Sequence, residues 1–530
     1  MMHRTTLTTL AAFFWLACSG APDRPEGISR PNIVLMLTDD QGWQDTSEPF
    51  ADERTPQNDL YRTPNMERLA SEGMKFTNSY SNAVCTPTRV ELLTGLNQVR
   101  TRISNWTHFR DEATDRPHPD LIIPRWNTNG LQPVPDIPLS LHAKTLPQEL
   151  RAAGYRTIHI GKGHFGTRGT PGEDPKSLGF DVRIGGRFSG APGSYYGTDN
   201  FASGGDPAST PWRAWDMEEY FGQEIYLTEA LTLEAITAVK EAVADGQPFF
   251  LYFAQFAPHT PIMPDQRFVQ HYLDAGLPDR EAAYASMIEG VDKSLGDIMD
   301  TLEGLGVADN TALFFTSDNG GVRNMVERDG EPNTHNAPLN SGKGSTYEGG
   351  LRVPMLAKWP GVTQPGRVSD TPITIEDMFP TILDIAGVEF SGQSGAIFND
   401  DGIIQLGPEL DGESFVPLLR GEAGNPERTL YWHFPHAWGG LSRPRVEGPG
   451  IGATSTIKRG DWKLVYWHVD GRKELFNLRA DIGETRNLAA DQPELVADLS
   501  AALGKFLRET NAIMPTRKAT SAPVPYPDGP

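Results

Sequence analysis

The pattern of hydrophobic and polar positions repeats one arrangement four times: a short apolar segment followed at once by polar residues. The apolar segments are 32–38, 156–161, 248–257 and 311–317, and the polar residues that end them are Asp39 and Asp40, Lys162 and His164, His259, and Asp318 and Asn319. Uninterrupted apolar segments of this length are typical of strands in a sheet that is covered on both faces. The pattern therefore predicts four buried β-strands with polar groups at their ends.

Apolar residues at helical spacing lie between these segments. The predicted helices are 65–73, with Thr63 as cap and Pro64 in the first turn, 148–154, opened by Thr145, and helices within 223–244 and 279–304. Alternating strands and helices predict βαβ units and a mainly parallel sheet. Because ligands of such sheets bind at the carboxyl ends of the strands, the four polar clusters should meet in one cleft.

Composition narrows the classes of function. The chain has 530 residues and a formal net charge of −22, which argues against a nucleic-acid partner bound by a broad basic face. Residues 1–18 combine an early Arg with an apolar run too short to span a membrane, as in a secretory signal peptide. The end of this segment, Ala17-Cys18, resembles the lipobox of bacterial lipoproteins. We therefore predict an exported protein, periplasmic or anchored to the outer membrane of a bacterium. Its only membrane contact would be a lipid on Cys18, with 19–30 as a tether.

Cys85 is the one cysteine left if Cys18 is removed or lipidated, because the chain has only two. Thr88 is predicted to cap a helix that begins at Arg89. Position 85 would then lie near a helix N-terminus, where unpaired N–H groups favour anions. From the residues alone, Cys85 is either a buried structural thiol or a nucleophilic thiolate with a lowered pKa.

Four oxygen-bearing side chains form a candidate metal site. Asp39, Asp40, Asp318 and Asn319 offer carboxylate and amide oxygens, which suit Ca²⁺ or Mg²⁺ better than Zn²⁺. The alternative is that Asp-Asp and Asp-Asn-Gly only form turns after strands.

Basic side chains complete the predicted cleft. Lys162 could hold an anion and His164 could move a proton, and both would face the same side if the strand continued. His259 lies between two prolines, and Lys343 lies in a glycine-rich stretch that lacks the Walker A spacing.

The residues around Cys85 resemble the signature of the formylglycine-dependent type I sulfatases of the alkaline-phosphatase-like superfamily. That signature is Cys85-Thr86-Pro87-Thr88-Arg89 followed by Leu93-Thr94-Gly95. Further family motifs follow in the family's order: Asp39-Asp40, Lys162-x-His164, Pro258-His259-x-Pro261, Asp318-Asn319-Gly320, residues 343–350, and a closing segment at 474–489 that contains Asp481, Glu484 and Asn487. Two positions depart from the family. At position 163 the family often has Trp, so Gly163 predicts a more open wall of the cleft. At position 340 many members have Arg, so Asn340 predicts that one substrate contact of the family is missing.

This resemblance implies that a separate maturation enzyme oxidises Cys85 to Cα-formylglycine, whose hydrate attacks sulfur. It implies Ca²⁺, or alternatively Mg²⁺, held by Asp39, Asp40, Asp318, Asn319 and the side chain at position 85. The remaining implied roles are Arg89 holding the formylglycine, Lys162 and Lys343 neutralising the sulfate, His259 together with Lys343 protonating the leaving alcohol, and His164 taking the proton that releases the sulfate.

The resemblance also implies the fold: an α/β sandwich over 31–425 with a large, mainly parallel central sheet flanked by helices. A smaller C-terminal subdomain at 426–514 would contain an antiparallel sheet and a helix. Strand patterns at 429–434 and 462–468 and a helix pattern at 493–508 agree with this second part. The Pro-rich tail at 515–530 is predicted to be disordered.

A sulfated polysaccharide or oligosaccharide is the expected substrate. Candidate sugar contacts lie in 100–142 and 432–436, which are rich in aromatic, His and Arg residues. One alternative is a phosphodiesterase or phosphonate monoester hydrolase of the same superfamily. The other is a catalytically silent glycan-binding lipoprotein, against which the match at every catalytic position argues.

Overall fold

A computed structural model describes residues 30–204, 210–323, 336–400, 402–439 and 445–529. The predicted signal peptide and lipobox, and the tether except for Arg30, lie outside the described residues. Within the described ranges, no helix combines the length and the apolar character needed to cross a bilayer.

The secondary structure alternates between strands and helices along most of the chain. The strands are β1 (Asn32–Thr38), β2 (Met74–Phe76), β3 (Ser79–Tyr80), β4 (Leu121–Ile122), β5 (Leu131–Gln132), β6 (Ser140–Ala143), β7 (Arg156–Gly161), β8 (Val182–Ile184), β9 (Phe249–Ala254), β10 (Thr311–Ser317), β11 (Met355–Lys358), β12 (Arg367–Ser369), β13 (Ile373–Thr374), β14 (Gly395–Asn399), β15 (Gly402–Gln405), β16 (Thr429–Phe434), β17 (Thr454–Arg459), β18 (Trp462–Trp467), β19 (Lys473–Asn477) and β20 (Thr516–Arg517). The helices are α1 (Pro56–Leu60), α2 (Pro64–Glu72), α3 (Cys85–Thr94), α4 (Gln98–Thr101), α5 (Leu146–Ala152), α6 (Leu227–Ala244), α7 (Val269–Asp274), α8 (Asp279–Gly304), α9 (Glu348–Leu351), α10 (Met378–Ala386), α11 (Val416–Leu419) and α12 (Pro493–Glu509).

The four predicted strands form the centre of an eight-stranded sheet with the order β12-β2-β11-β10-β1-β9-β7-β8. Strands β10, β1, β9 and β7 are adjacent and parallel. Their registers pair Thr38 with Ser317 and Ala254 with both Leu37 and Gly161, so the strands end at nearly the same level. The polar residues that follow them are therefore brought to one edge of the sheet, as the sequence predicts.

Both faces of the sheet are buried, which explains why its strands are uninterruptedly apolar. Alternate residues of β1 point to opposite sides: Leu35 belongs to the hydrophobic cluster that includes α3, α5 and α10 residues, and Met36 to the cluster that includes α6 and α8 residues. Burying a side chain of this size is worth about 1.5–3 kcal/mol. The predicted mixed α/β fold with a mainly parallel central sheet is confirmed.

Helix positions follow the predicted patterns closely. Helix α8 has the predicted bounds, whereas α6 begins at Leu227, inside the predicted range. Thr63 is the N-cap residue of α2, with Pro64 at its first position. Asp292 of α8 accepts hydrogen bonds from the backbone N–H groups of Asn65 and Met66 at 3.1 and 2.8 Å, which fixes α2 against α8.

A separate antiparallel sheet with the order β16-β17-β18-β19 lies near the C-terminus, as expected. Helix α12 covers it: Leu503 and Leu507 belong to the same hydrophobic cluster as Ile457 and Leu464 of the sheet. The exact boundary between the two parts, placed at 425 and 426, stays a prediction.

The expectation of a disordered tail is wrong for residues 515–529. Strand β20 pairs with β4, and Val524 is 2% exposed. The Tyr466 hydroxyl donates a hydrogen bond of 2.9 Å to the Pro525 carbonyl. Proline lacks an N–H group but keeps a carbonyl acceptor, so a Pro-rich segment can still dock onto a neighbouring surface.

Candidate active site

Helix α3 presents Cys85 at the edge where the four central strands end. The helix begins at Cys85 itself, with Val84 as the N-cap residue, so the prediction of Thr88 as cap is wrong. Thr88 lies within the first turn instead, and its hydroxyl donates a hydrogen bond of 2.6 Å to the Asp318 carbonyl. The predicted placement of Cys85 at a helix N-terminus is nevertheless correct.

The thiol of Cys85 lies in a buried, charged environment. It is 2% exposed, and its Sγ is 3.6 Å from Asp39 Oδ1 and 3.3 Å from Lys343 Nζ. Burial and the Asp318 carboxylate raise the pKa of the thiol to about 12. Unmodified Cys85 is therefore almost entirely un-ionised at neutral pH, which argues against the nucleophilic thiolate that the residues alone left open.

Three carboxylates converge beside Cys85, and all three are at most 1% exposed: Asp39, Asp40 and Asp318. Burial and the neighbouring Asp318 raise the pKa of Asp39 to about 8. Although burial opposes it, the Lys343 cation holds the pKa of Asp40 below its usual range. Carboxyl groups buried this close together need neighbouring cations if all of them are to be ionised.

Three basic side chains supply part of that compensation. Lys162 Nζ lies 2.6 Å from Asp39 Oδ2, and Lys343 Nζ lies 2.6 Å from Asp40 Oδ1. Arg89 binds Asp318 Oδ2 through its Nε and Nη2 atoms at 2.9 and 2.8 Å. Lys162 and Arg89 are completely buried, so their charges act through a medium of low polarizability.

The oxygen donors fit a hard divalent cation. Among the described residues, Asn319 Oδ1 is buried without a hydrogen-bond partner, while its Nδ2 donates to Asp40 Oδ1 at 2.8 Å. One donor atom each from Asp39, Asp40, Cys85 and His259 lies within 4.8 Å of the others. Buried polar atoms normally have a partner, and Ca²⁺ and Mg²⁺ are bound by carboxylate and amide oxygens. The unpaired oxygen of Asn319 beside these carboxylates therefore fits a ligand set for one of these ions.

Of the two predicted histidines, His164 is buried and His259 is partly buried, with 16% of its side chain exposed. His164 Nε2 lies 2.8 Å from the Thr107 carbonyl, and its Nδ1 has no partner in the described part of the chain. His259 Nδ1 lies 2.8 Å from the Thr260 carbonyl, and its Nε2 is 3.6 Å from Asp40 Oδ2. Burial lowers the pKa of His259 to about 3 and the pKa of His164 well below its usual value. Each imidazole is thus neutral, with one nitrogen bonded to a carbonyl and the other available for proton transfer.

Lys162 and His164 reach the site by a different route from the one predicted. Strand β7 ends at Gly161, and His164 has a left-handed backbone with φ of 61°. The alternation of an extended strand therefore does not apply to these two residues. At Gly163, a Cβ atom would lie 2.6 Å from the Arg187 carbonyl oxygen, so backbone fills this position and the predicted open wall is wrong.

A cavity of about 560 Å³ opens onto this group of residues. Its wall contains Asp40, Cys85, His164, His259 and Lys343, together with the aromatic side chains Trp106, Trp212 and Trp438 and the cation Arg280. The position of Trp438 requires glycine at Gly344, because a Cβ atom there would lie 2.2 Å from the indole ring. The His108 ring stacks on Trp212, with ring centroids 4.6 Å apart.

The aromatic wall was only partly visible in the sequence. Trp106 lies within the predicted segment 100–142, whereas Trp212, Trp438 and Arg280 were missed because nothing in their local sequence marks them. The other predicted segment, 432–436, does not line the cavity: His433 and His436 are at most 1% exposed. They bind Ser455 and Asp115 at 2.7 and 2.6 Å, so they support the structure.

Comparison with known families agrees with this arrangement of residues. The profile of the sulfatase family matches residues 31–388, and the profile described as "N-sulphoglucosamine sulphohydrolase, C-terminal" matches residues 342–512. The chain belongs to the sulfatase family, and it is a sulfuric ester hydrolase.

Individual relatives cover most of the chain. A sulfatase of Formosa agariphila is 28% identical, with 94% of this chain and 92% of that protein aligned. The N-acetylgalactosamine-6-sulfatase of Mus musculus is 35% identical, with 72% of this chain and 66% of that enzyme aligned. The crystal structure of Ps i-CgsB in complex with k-i-k-neocarrahexaose has a TM-score of 0.68 at 26% identity, covering 91% of this chain and 94% of that chain.

Proposed function

We propose that this sulfatase removes sulfate from a sulfated carbohydrate, using a formylglycine formed from Cys85 and a divalent cation, Ca²⁺ or Mg²⁺. The observation that carries this proposal is the position of Cys85. It stands at the first turn of α3, with Asp39, Asp40, Lys343 and His259 around it. A separate maturation enzyme would oxidise Cys85 before the protein acts.

The proposed reaction begins with the hydrate of formylglycine at position 85. One hydroxyl of the hydrate reacts in its ionised form, having lost its proton to solvent, and its oxygen forms a bond to sulfur while the bond between sulfur and the sugar oxygen breaks. His259 gives its proton to that sugar oxygen, and Lys162 and Lys343 balance the charge on the sulfate oxygens. The negative charge of the incoming sulfate favours protonation of His259, whose pKa in the ligand-free protein is about 3.

Release of sulfate uses the second hydroxyl of the hydrate. His164, through its buried Nδ1, takes the proton of that hydroxyl. The electron pair of its O–H bond then forms the aldehyde C=O bond, and the bond from carbon to the sulfate oxygen breaks. A serine or cysteine nucleophile has no second hydroxyl, so its sulfate ester would need a separate hydrolysis.

The residues that would hold the cation are Asp39, Asp40, Asp318, Asn319 and the side chain at position 85. When bound, such a cation acts as a Lewis acid toward sulfate and favours the ionised form of the nucleophile. Arg89, which is bonded to Asp318, fixes this carboxylate and lies on the same helix as position 85.

The wall of three Trp side chains supports a carbohydrate substrate. Trp106, Trp212 and Trp438 line the cavity beside Cys85, and flat aromatic faces pack against the apolar face of a sugar ring. The names of the similar proteins agree with this substrate class, since one is an N-acetylgalactosamine-6-sulfatase and another was crystallised in complex with k-i-k-neocarrahexaose. Export and a lipid on Cys18 stay predictions.

Two measurements on protein produced together with a formylglycine-generating enzyme test the proposal. Mass spectrometry of the peptide that contains Cys85 should show an aldehyde in place of the thiol. The same protein should cleave an aryl sulfate much faster than the matching aryl phosphate. Faster cleavage of the phosphate would favour the phosphoesterase alternative, and a modified protein inactive on both aryl esters and on sulfated oligosaccharides would favour the silent binder.

A further inference from the structure

The closing sequence motif at 474–489 does not line the cavity, but several of its side chains are buried, among them the charged Glu484. Glu484 has a fully buried side chain, and its Oε2 accepts a hydrogen bond of 2.7 Å from the backbone N–H of Glu348. Its Oε1 lies 2.9 Å from Lys463 Nζ, which also donates a bond of 2.9 Å to Glu348 Oε1. Glu348, Lys463 and Glu484 thus form a buried charged cluster between the two parts of the molecule.

The other polar residues of the motif build the turn that inserts Glu484. The Asp481 carboxylate accepts hydrogen bonds of 2.8 Å from the N–H groups of both Thr485 and Arg486. Glu484 itself has a left-handed backbone with φ of 51°. Asn487 Oδ1 accepts a bond of 3.0 Å from the Leu475 N–H, which ties the turn to β19. The turn therefore holds the Glu484 carboxylate inside the protein.

On the catalytic side, the cluster holds the segment that carries Lys343. Glu348 is the first residue of α9, five residues after Lys343. Between them, the Gly344 N–H donates to the Ala83 carbonyl at 2.7 Å, two residues before Cys85. Beyond Glu348, the Gly350 carbonyl accepts a bond of 3.0 Å from the Gly320 N–H, next to Asn319. The segment 343–350 is thus in contact with the residues just before Cys85 and with the loop that contains Asn319.

We propose that Glu484, Lys463 and Glu348 are positioning residues, through which the C-terminal subdomain holds Lys343 at its distance from position 85. The proposal rests on the role given to Lys343 under the proposed function. All three side chains are 0% exposed, so removal of Lys463 leaves the buried Glu484 without its cation, while Glu348 keeps Arg352, whose Nη1 lies 3.2 Å from Glu348 Oε2. The response should be a shift of α9 and of the loop before it.

The test compares Lys463→Met with Arg428→Met. Arg428 binds the fully buried Asp377 through two nitrogens and is itself 12% exposed, so it is a second, partly buried ion pair between the C-terminal subdomain and the catalytic part, and it lies outside the cavity lining. For each variant, kcat and KM on a small aryl sulfate, Tm, and the formylglycine content of the Cys85 peptide are measured.

We expect Lys463→Met to lower kcat about 10- to 100-fold, since a displacement of about 1 Å near the reacting atoms costs a factor of this order. KM should change much less, and formylglycine content should stay as in the wild type. Arg428→Met should lower Tm while kcat stays within about twofold. If the ratio between the loss of kcat and the decrease in Tm is the same in both variants, the cluster only stabilises the fold and the proposal is wrong.

Two further variants keep the test decisive. Glu484→Gln has the same shape and retains an acceptor for the Glu348 N–H, so it should fold and lose less kcat than Lys463→Met. An unchanged kcat in Glu484→Gln and Lys463→Met, beside an inactive Lys343→Ala, would overturn the positioning proposal alone. Full activity of Lys343→Ala would instead overturn the role of Lys343, and the positioning proposal with it.

Discussion

Lys343 Nζ lies 2.6 Å from Asp40 Oδ1, although the two residues are 303 positions apart in the chain. The same nitrogen is 3.3 Å from the sulfur of Cys85. One buried cation thus links a carboxylate of the candidate metal site to the candidate nucleophile. This geometry allows a single side chain to respond to charge on the sulfate and on the attacking group.

Replacement of Cys85 by serine should stop turnover after the first chemical step. Serine offers one hydroxyl, so Cys85→Ser can accept a sulfo group but has no second hydroxyl to expel it. Intact-protein mass spectrometry after incubation with an aryl sulfate should show enzyme that carries one sulfo group, together with no steady release of product beyond one equivalent. Cys85→Ala is the matched control and should stay unmodified; continuous turnover by Cys85→Ser contradicts the two-hydroxyl mechanism.

Removal of divalent cations should abolish activity and lower stability. The carboxylates of Asp39, Asp40 and Asp318 repel one another in a buried site, and a bound cation relieves this repulsion. At a free cation concentration of 100 Kd, binding stabilises the folded state by about 2.7 kcal/mol. Activity and Tm are measured after exhaustive chelation and after return of Ca²⁺ or Mg²⁺. Full activity in chelated protein would show that the oxygen cluster does not hold a catalytic cation.

Loss of His259 should matter most for substrates with poor leaving groups. If His259 protonates the departing oxygen, His259→Gln should lower kcat/KM for a sulfated sugar by about 10²- to 10⁴-fold. An aryl sulfate with an acidic phenol leaves without protonation and should be affected much less. The ratio of the two losses is the measurement, and equal losses on both substrates would assign His259 to sulfate or metal binding instead.

Truncation of Trp212 should weaken the binding of oligosaccharides. Trp212 lines the cavity and is held in place by the stacked ring of His108. Loss of an aromatic contact of about 1.4 kcal/mol corresponds to about a tenfold higher KM. Trp212→Ala should show this on a sulfated oligosaccharide but not on a small aryl sulfate. Trp215→Ala is the control, because Trp215 stacks with Arg213 and does not line the cavity; the same change in both variants would argue against a sugar subsite.

Stability should fall on mild acidification because of His433. Burial lowers the pKa of this histidine from 6.5 to about 4. Between these two pH values the unfolded chain binds a proton and the folded protein does not, so the free energy of unfolding decreases as the pH falls. For this group alone the decrease from pH 7 to pH 5 is about 2 kcal/mol.

Denaturant titrations at the two pH values measure this effect, with the wild type and His433→Gln compared at constant cation concentration. The variant should lose stability less steeply than the wild type, by about 2 kcal/mol over this interval. An identical decrease in both proteins would show that His433 takes up its proton in the folded state as readily as in the unfolded chain.

Much of the molecule could be predicted from the chain itself. The hydrophobic pattern located the central strands, because strands covered on both faces must be apolar throughout. The polar residues after these strands were predicted to meet because parallel strands end at a common edge of the sheet. Proline at the start of α2 marked that helix for a similar local reason: its ring already has the helical φ and needs no N–H partner there.

Contacts across long sequence distances could not be predicted in this way. Trp212 and Trp438 carry no local signal of a role. The tail at 515–530 was predicted to be disordered from its composition, which contains no information about the surface on which residues 515–529 pack. The sequence by itself determined which side chains are available at the strand ends, because hydrophobic periodicity and the residues that end a strand or begin a helix are local properties of the chain. Only the tertiary structure decided which of them share buried charge, which rings form the cavity wall, and that Glu484 reaches the segment of Lys343, because these depend on how distant segments pack.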